Sequence, residues 1–207
     1  MAPPSDTEQR LVEAARRLWH MRSYGDVGVN EICEAADVRK GSFYHYFPGK
    51  HDLAIAVIDD HWREAYETVV LPTRASGGTP LEQLDQLVVR IGVEIRRMTE
   101  ELGVVPGCPF GNLAVELSTI DPQIRDRLAR LFADQQAVLK GLLDDAVAAG
   151  ELAPETDTAE VAGAMNAYIE GVLALAKTAN EPGLTQELLP LCRRLASPPT
   201  AVEITPA

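Results

Sequence analysis

Two basic residues, Arg39 and Lys40, stand side by side, and Gly41, Ser42, Tyr44 and His45 follow within two helical turns. Arginine and lysine bind phosphates or base edges, and glycine allows the backbone to approach a nucleic acid closely. The serine, tyrosine and histidine side chains add hydrogen-bonding groups. These residue types suit contact with duplex DNA, although a solvated helical face has a similar composition. Lys50 begins a later helix, where its ammonium and the free N–H groups of the first turn suit a phosphate.

Cys108 is the second chemically distinctive residue. Pro109 suits the first turn of a helix, which puts Cys108 at the N-cap. The positive end of that helix would lower the pKa of the thiol, so a reactive thiol is one interpretation. The other is a small buried side chain, because free cysteine is among the most buried residue types. Cys33 and Cys192 lie on apolar helix faces and are expected to be inert.

The sequence does not indicate an enzyme or a metal site. Its four histidines have no metal-ligand spacing, and its three cysteines include no CxxC pair. Neither a Gly-rich phosphate loop nor a Ser/His/Asp pattern is present. A cysteine hydrolase would need a histidine near Cys108, and none follows His61. We therefore expect no catalytic residues, no cofactor and no metal.

The net charge of −12 over 207 residues argues at first against nucleic acid as a partner. The charge is uneven, however. Residues 1–60 carry seven Lys/Arg against ten Asp/Glu, whereas residues 61–207 carry twelve against twenty-one. A local basic patch decides DNA binding, and the total charge does not. No apolar run approaches the roughly 20 residues that cross a bilayer, and the N-terminus does not resemble a signal peptide. A cytoplasmic location without membrane contact is expected.

Helical periodicity runs along the chain, so the predicted fold class is all-α. Two short helices joined by a three-residue turn at 37–39 have the dimensions of a helix-turn-helix. Ser76-Gly77-Gly78 marks a flexible loop over 72–80. We predict a DNA-binding domain over 1–50, a larger helical ligand-binding and dimerisation domain over 51–196, and a disordered tail over 197–207. The predicted helices are 6–22, 29–36, 40–46, 50–71, 81–101, 109–118, 122–149, 158–179 and 184–196.

The stretch VRKGSFYHYFPGK at 38–50 resembles the signature of the tetracycline-repressor (TetR) family of bacterial transcriptional regulators. The resemblance covers residues 7–55 and includes Leu18-Trp19 and Ala35-Ala36. It departs from the family pattern at Ser23, Val27-Gly28 and Asp37. It implies a DNA-reading third helix, a homodimer on a palindromic operator and a C-terminal domain that binds a small-molecule inducer.

The same resemblance assigns roles to the candidate DNA-binding residues. Tyr44 and Lys50 are implied to contact phosphates. The residues implied to contact base edges are Arg39, Lys40, Ser42 and His45. Asn30 would add a contact from the preceding helix.

The motif Gly-Cys-x-x-Gly-Asn-Leu at 107–113 also resembles a TetR subgroup that includes regulators responsive to electrophiles and oxidants. That resemblance implies that Cys108 is the sensor and that Lys177 approaches it. Plausible walls of a mainly apolar inducer pocket are Trp62, Tyr66, Met98, Phe110, Phe132, Gln136 and Tyr168. The candidate sensing residues are Cys108, Phe110, Asn112, Glu116, Trp62, Tyr66, Tyr168 and Lys177.

Helix 158–179 is rich in alanine and glycine, and helix 184–196 carries a leucine stripe. The pair resembles the dimer interface of the family, with packing inside one chain as the alternative. The predicted function is a ligand-responsive repressor that leaves its operator when an inducer binds or a cysteine is modified. The alternative is a helical small-molecule-binding protein without DNA affinity.

Overall fold

A computed structural model of the chain describes residues 5–196, in which every regular element is helical. This confirms the predicted all-α class. A π-helical turn, Tyr66–Val70, links α4 to α5, and a 3₁₀ turn, Pro182–Glu187, precedes α10. The helices are α1 Asp6–Met21, α2 Val29–Ala35, α3 Lys40–Tyr46, α4 Lys50–Ala65, α5 Leu71–Ala75, α6 Pro80–Leu102, α7 Pro109–Leu117, α8 Pro122–Ala148, α9 Thr158–Ala179 and α10 Leu188–Ala196.

Helices α1 to α3 and the start of α4 enclose a small core. Leu11, Ile32, Phe43 and Leu53 are fully buried in it. Ser5 caps α1 by accepting the Glu8 N–H at 3.2 Å, directly before the predicted helix start at Asp6. The core fixes the relative orientation of α2 and α3.

The turn between α2 and α3 depends on Asp37, whose φ of 51° lies in the left-handed region. Aspartate tolerates that conformation better than most residues with a Cβ. The Val38 N–H then bonds the Cys33 carbonyl at 2.9 Å and ends α2. The turn directs α3 away from α2, in the geometry of a helix-turn-helix.

The predicted loop at 72–80 is wrong at its start. The helical path continues from α4 through the π turn into α5 and ends at Ala75. Pro72 does not stop it, because it lies in the first turn of α5 after the wider π turn has relaxed the hydrogen-bond pattern. Buried Thr73 follows, and its hydroxyl donates to the Val69 carbonyl at 2.8 Å.

Helices α6 to α10 form the second, larger unit, in which α8 lies against both α6 and α9. Side chains of Asp121 and Asp157 cap α8 and α9, as expected for helices with aspartate before the first turn. The last predicted helix divides into the 3₁₀ turn and α10, so Pro190 lies in the first turn of α10 and does not kink it. The tail predicted to be disordered lies outside the described residues.

Within residues 5–196, no helix is both long enough and apolar enough to cross a membrane.

Candidate DNA-binding surface and ligand cavity

Helix α3 presents a polar face to solvent and an apolar face to the core. Arg39, Lys40 and His45 are exposed, and the Tyr44 side chain is 51% exposed. Phe43, between them, is fully buried. The buried ring therefore anchors the helix while its polar side chains remain available to a partner. Gly41 and Asn30 are also exposed, and Ser42 is half-buried.

Three of the seven Lys and Arg side chains in residues 5–60 form ion pairs. Arg10 pairs with Asp6 at 3.3 Å, and Arg16 and Arg22 form close pairs with Glu64 and Glu31. Neither Arg39 nor Lys40 forms a salt bridge with any described carboxylate. Arg39 and Lys40 therefore carry charges without an ion-pair partner among the described residues, on a surface that Glu34 and Asp37 also line.

The ammonium of Lys50 already donates hydrogen bonds within the protein. Its Nζ donates to the carbonyls of Tyr24 at 2.8 Å and Val27 at 3.0 Å, and it lies 4.0 Å from the centre of the Tyr24 ring. Burial lowers the pKa of Lys50, and the nearby Glu116 carboxylate partly opposes that shift. An ammonium has three donors, so one remains for the predicted phosphate contact. Sequence reasoning missed the structural role of this lysine.

Glu116, at the end of α7, holds the turn that follows α1. Its Oε2 accepts the Tyr24 N–H at 2.8 Å and its Oε1 accepts the Gly25 N–H at 2.7 Å. Glu116 was a candidate for the sensing site. The structure instead puts its carboxylate on the backbone of the DNA-binding unit, 91 residues earlier in the chain.

A second link between the two units joins α4 to the start of α8. His51 Nδ1 lies 2.6 Å from Asp121 Oδ2, and His51 Nε2 lies 3.0 Å from Gln123 Oε1. Partial burial lowers the pKa of His51, but the hydrogen bonds to Asp121 and Gln123 outweigh it and raise the pKa overall. Partial burial likewise raises the pKa of Asp121, whereas hydrogen bonds from Ile124 and His51 lower it overall.

An apolar cavity of about 140 Å³ that opens to solvent lies between α4, α6, α7, α8 and α9. Of the predicted wall residues, Trp62, Met98 and Phe110 line it, as does Cys108. The other predicted walls do not. Tyr66 is 41% exposed, Phe132 lines an outer groove, Gln136 donates to the Ala159 carbonyl at 3.2 Å, and Tyr168 lies half-buried against the core.

Sequence reasoning missed the polar residues of this cavity. His61, Gln135, Asn166 and Glu170 all line it. Glu170 could have been found, because it is a single carboxylate in the otherwise apolar stretch between Tyr168 and Ala176. Whether Gln135 and Asn166 face the cavity depends on how α8 and α9 pack against each other. The periodicity of a single helix does not show this.

Cys108 is the N-cap of α7, as predicted, and its Sγ accepts the Gly111 N–H at 3.4 Å. The predicted lowering of its pKa is wrong. Burial raises the pKa of the thiol well above its usual range, and the hydrogen-bonded Glu170 carboxylate raises it further. Both effects outweigh the positive helix end, because the side chain is only 8% exposed.

Lys177 lines the same groove as Cys108, but its ammonium is bonded elsewhere. Its Nζ donates to Asn112 Oδ1 at 2.9 Å, and Asn112 Nδ2 donates to the Pro106 carbonyl at 2.9 Å. Lys177 and Asn112 therefore fix the segment that leads into α7. The charged group beside Cys108 is Glu170.

A histidine pair connects the cavity to α1. The rings of His20 on α1 and His61 on α4 are 5.4 Å apart, and the His61 ring lies 5.1 Å from Phe110. Burial lowers the pKa of His20 to about 4 and that of His61 to about 3, with the nearby Arg16 charge contributing to both. Both rings are therefore neutral near pH 7. Among residues 5–196, no three His, Cys, Asp or Glu side chains form a group suited to a metal ion.

Both units match known sequence families. Residues 11–57 match the family described as "Bacterial regulatory proteins, tetR family", and residues 80–189 match "Tetracyclin repressor-like, C-terminal domain".

Three individual proteins that are similar to this chain are likewise named as regulators. The transcriptional regulator AcuR of Cereibacter sphaeroides is 34% identical over 180 residues, which cover 84% of this chain and 78% of that protein. An uncharacterized HTH-type transcriptional regulator of Lactococcus lactis is 29% identical over 131 residues, which cover 63% of this chain and 65% of that one. The crystal structure of a regulatory protein TetR from Rhodobacter sphaeroides superimposes with a TM-score of 0.82 at 28% identity, covering 92% of this chain and 99% of that one.

Proposed function

We infer that this chain, which belongs to the tetR family of bacterial regulatory proteins, is a homodimeric repressor that binds a palindromic operator and leaves it when a small molecule occupies the cavity. Members of this family are transcriptional regulators, typically repressors that bind DNA as dimers and respond to ligands. Because its proposed partner is operator DNA, we propose that it acts in the cytoplasm.

The exposed face of α3 carries this proposal. Arg39 and Lys40 are unpaired cations at the start of the second helix of a helix-turn-helix, and Phe43 anchors that helix from below. A recognition helix of this kind enters the major groove with its N-terminal residues toward the bases. We assign base-edge contacts to Arg39, Lys40, Ser42 and His45, and phosphate contacts to Tyr44 and Lys50. Asn30 adds a contact from α2.

We propose that α9 and α10 form the dimer interface. One face of α9 leaves Ala164, Ala167, Gly171 and Ala174 exposed, and Leu175 beside them is 65% exposed. Small residues permit two helices to approach closely, and an exposed leucine gains from burial. A two-fold axis between two copies would then present two α3 helices to successive major grooves, about 34–36 Å apart.

Helix α7 is the proposed route from the cavity to the DNA. Cys108 and Phe110 at its start line the cavity, and Glu116 at its end holds the backbone of Tyr24 and Gly25. A ligand that moves Phe110 would therefore shift the turn between α1 and α2. His51 and Asp121 provide a second contact through α4. The resulting change in the spacing of the two α3 helices releases the operator.

Non-covalent binding is the release signal that we favour. Modification of Cys108 would act on the same wall of the cavity, but a thiol whose pKa is raised by burial and by Glu170 is a poor nucleophile at neutral pH. Of the proposed sensing residues, Trp62, Phe110 and Cys108 contact the ligand directly. Asn112, Glu116 and Lys177 act on the position of α7.

Selection from a pool of random duplexes tests this function, because it requires no knowledge of the regulated genes. We expect enrichment of one palindromic sequence with two half-sites a helical turn apart, bound by two protein chains. The alternative, a helical small-molecule-binding protein without DNA affinity, predicts no enrichment at any salt concentration. The double variant Arg39→Ala/Lys40→Ala is the matched control and should enrich nothing.

A further inference from the structure

The cavity is small enough to limit the ligand that it accepts. Its volume is about 140 Å³. An apolar cavity of about 150 Å³ in another protein takes up benzene. The part of a ligand that enters the cavity is therefore compact, with on the order of eight non-hydrogen atoms, mostly apolar.

The charged groups that face this space are carboxylates, whereas the other polar side chains, His61, Trp62, Gln135 and Asn166, can each donate a hydrogen bond. Glu170 lines the cavity, and no lysine or arginine of the described chain does. His61 is neutral near pH 7, because burial lowers its pKa to about 3. Glu94 also lines the cavity, but Arg97 neutralises it with contacts of 2.5 and 3.0 Å. Glu170 is therefore the charge that determines which ligand is favoured.

Two acceptors have no cationic partner among residues 5–196. The buried Oε1 of Gln135 accepts no hydrogen bond from any of these residues. The carboxylate of Glu170 is bonded to the Cys108 thiol, which is a weak donor, and burial raises the pKa of Glu170. A buried acceptor without a partner is costly, so a ligand that donates to these groups gains more than an apolar ligand.

The aromatic walls favour the same ligand. Trp62 and Phe110 line the cavity together with Glu170. The face of an aromatic ring attracts cations and repels anions. A carboxylate in a ligand would meet both the ring faces and the Glu170 charge without a compensating positive group.

From these contacts we propose that the inducer is a compact aromatic or aliphatic molecule with a protonated amine, which donates to Glu170 and Gln135 while its apolar part lies against Trp62 and Phe110. This inference rests on the proposed function, because it names the chemistry of the ligand in that cavity. It requires no covalent step and no movement of Cys108.

Calorimetric titration of the full chain with four probes of similar size tests the proposal. The probes are benzylamine, benzyl alcohol, toluene and benzoate. We expect benzylamine to bind at least about tenfold more tightly than benzyl alcohol or toluene, because its bonds to the acceptors are charge-assisted. Benzoate should bind most weakly. Benzoate binding as tight as benzylamine, or equal binding of benzylamine and toluene, overturns the proposal, as does failure of all four to bind.

Two variants identify the acceptors. Glu170→Gln should remove the preference for benzylamine and keep the affinity for toluene, with Glu160→Gln on the exposed side of α9 as its control. Gln135→Leu should weaken benzylamine binding by about threefold to tenfold, with its neighbour Gln136→Leu as control. If Glu170→Gln does not fold, the wild-type probe series and the Gln135→Leu variant still test the proposal. An unchanged benzylamine affinity in either folded cavity variant contradicts the proposal.

Operator affinity measured with the same probes separates this inference from the proposed function. If benzylamine binds selectively but operator affinity does not change, the ligand chemistry stands and the coupling in the proposed function fails. If the chain binds an operator and another compound releases it while none of the four probes binds, the proposed function stands and this inference is wrong.

Discussion

Glu116 and Tyr24 are joined by a hydrogen bond of 2.8 Å between a side-chain carboxylate and a backbone N–H, although 92 residues separate them. Lys50 donates to the carbonyl of the same Tyr24 at 2.8 Å. One residue of the turn after α1 is thus held on one side by the ligand-binding unit and on the other by α4. Movement at either end therefore changes the position of the DNA-binding unit.

Replacing Glu116 by Gln should loosen this turn. One of the two carboxylate bonds is lost, and the other becomes a neutral bond, which costs about 1–3 kcal/mol in total. Hydrogen–deuterium exchange at the Tyr24 and Gly25 amides should become faster in the native protein. Glu100→Gln, at an exposed site on α6, is the control. Unchanged exchange at both amides would show that the contact does not restrain the turn.

Lys40 and Lys50 should differ in their effect on folding. Both Lys40→Ala and Lys50→Ala should weaken DNA binding, and Lys50→Ala should do so equally for operator and random duplex, with the salt slope flatter by about one unit. Only Lys50→Ala should also lower the free energy of unfolding, by about 1–3 kcal/mol, because its ammonium bonds two backbone carbonyls. Urea denaturation and salt titration measure the two effects. If Lys50→Ala weakened operator binding alone, its phosphate contact would be refuted.

The link between His51 and Asp121 should depend on pH. The pKa of His51 is raised in the folded chain, so its contribution is complete below the unfolded value of 6.5 and is lost as the pH rises through the folded value. The pKa of Asp121 is lowered, so its contribution is present above 3.8 and is lost as the pH falls through the folded value.

His51→Gln should therefore cost more unfolding free energy at about pH 5.5 than at about pH 8.5. Urea denaturation of wild type and variant at both pH values gives the comparison. A cost that is equal at the two pH values, or larger at the higher one, would contradict the protonated pair.

Cys108 should be unreactive in the folded protein. Burial and Glu170 raise its pKa, so alkylation by iodoacetamide should be slow at neutral pH and rise only above about pH 9. Mass spectrometry resolves Cys108 from Cys33 and Cys192, and alkylation in urea gives the unrestrained rate. In Glu170→Gln the removal of the carboxylate should increase the rate. Rapid alkylation of wild-type Cys108 near pH 7 would instead favour a thiol sensor.

Much of the fold followed from local patterns. The predicted helices 29–36 and 40–46 agree with α2 and α3 to within one residue. Proline and glycine predicted most helix ends. The exception is Pro72, where a π turn that has no local sequence signature carries the helix onward.

The ligand site was less predictable, because it depends on contacts between distant elements. Position at a helix start suggested a lowered pKa for Cys108, but burial and Glu170 on α9 reverse the shift. Glu116 follows the motif at 107–113, yet the residues that it binds lie in the other unit. The aromatic residues Tyr66 and Tyr168 were predicted to form walls of the cavity. The packing of α8 and α9 instead directs other side chains into it.

The affinity of the chain for its selected duplex, compared with a shuffled duplex of the same composition, tests the central claim most directly. We expect the selected palindrome to bind at least about a thousandfold more tightly near physiological salt. Both affinities should fall steeply as salt increases, and Arg39→Ala should reduce the difference between the duplexes. Equal affinity for the two duplexes, or no binding to either at low salt, would contradict a sequence-specific repressor.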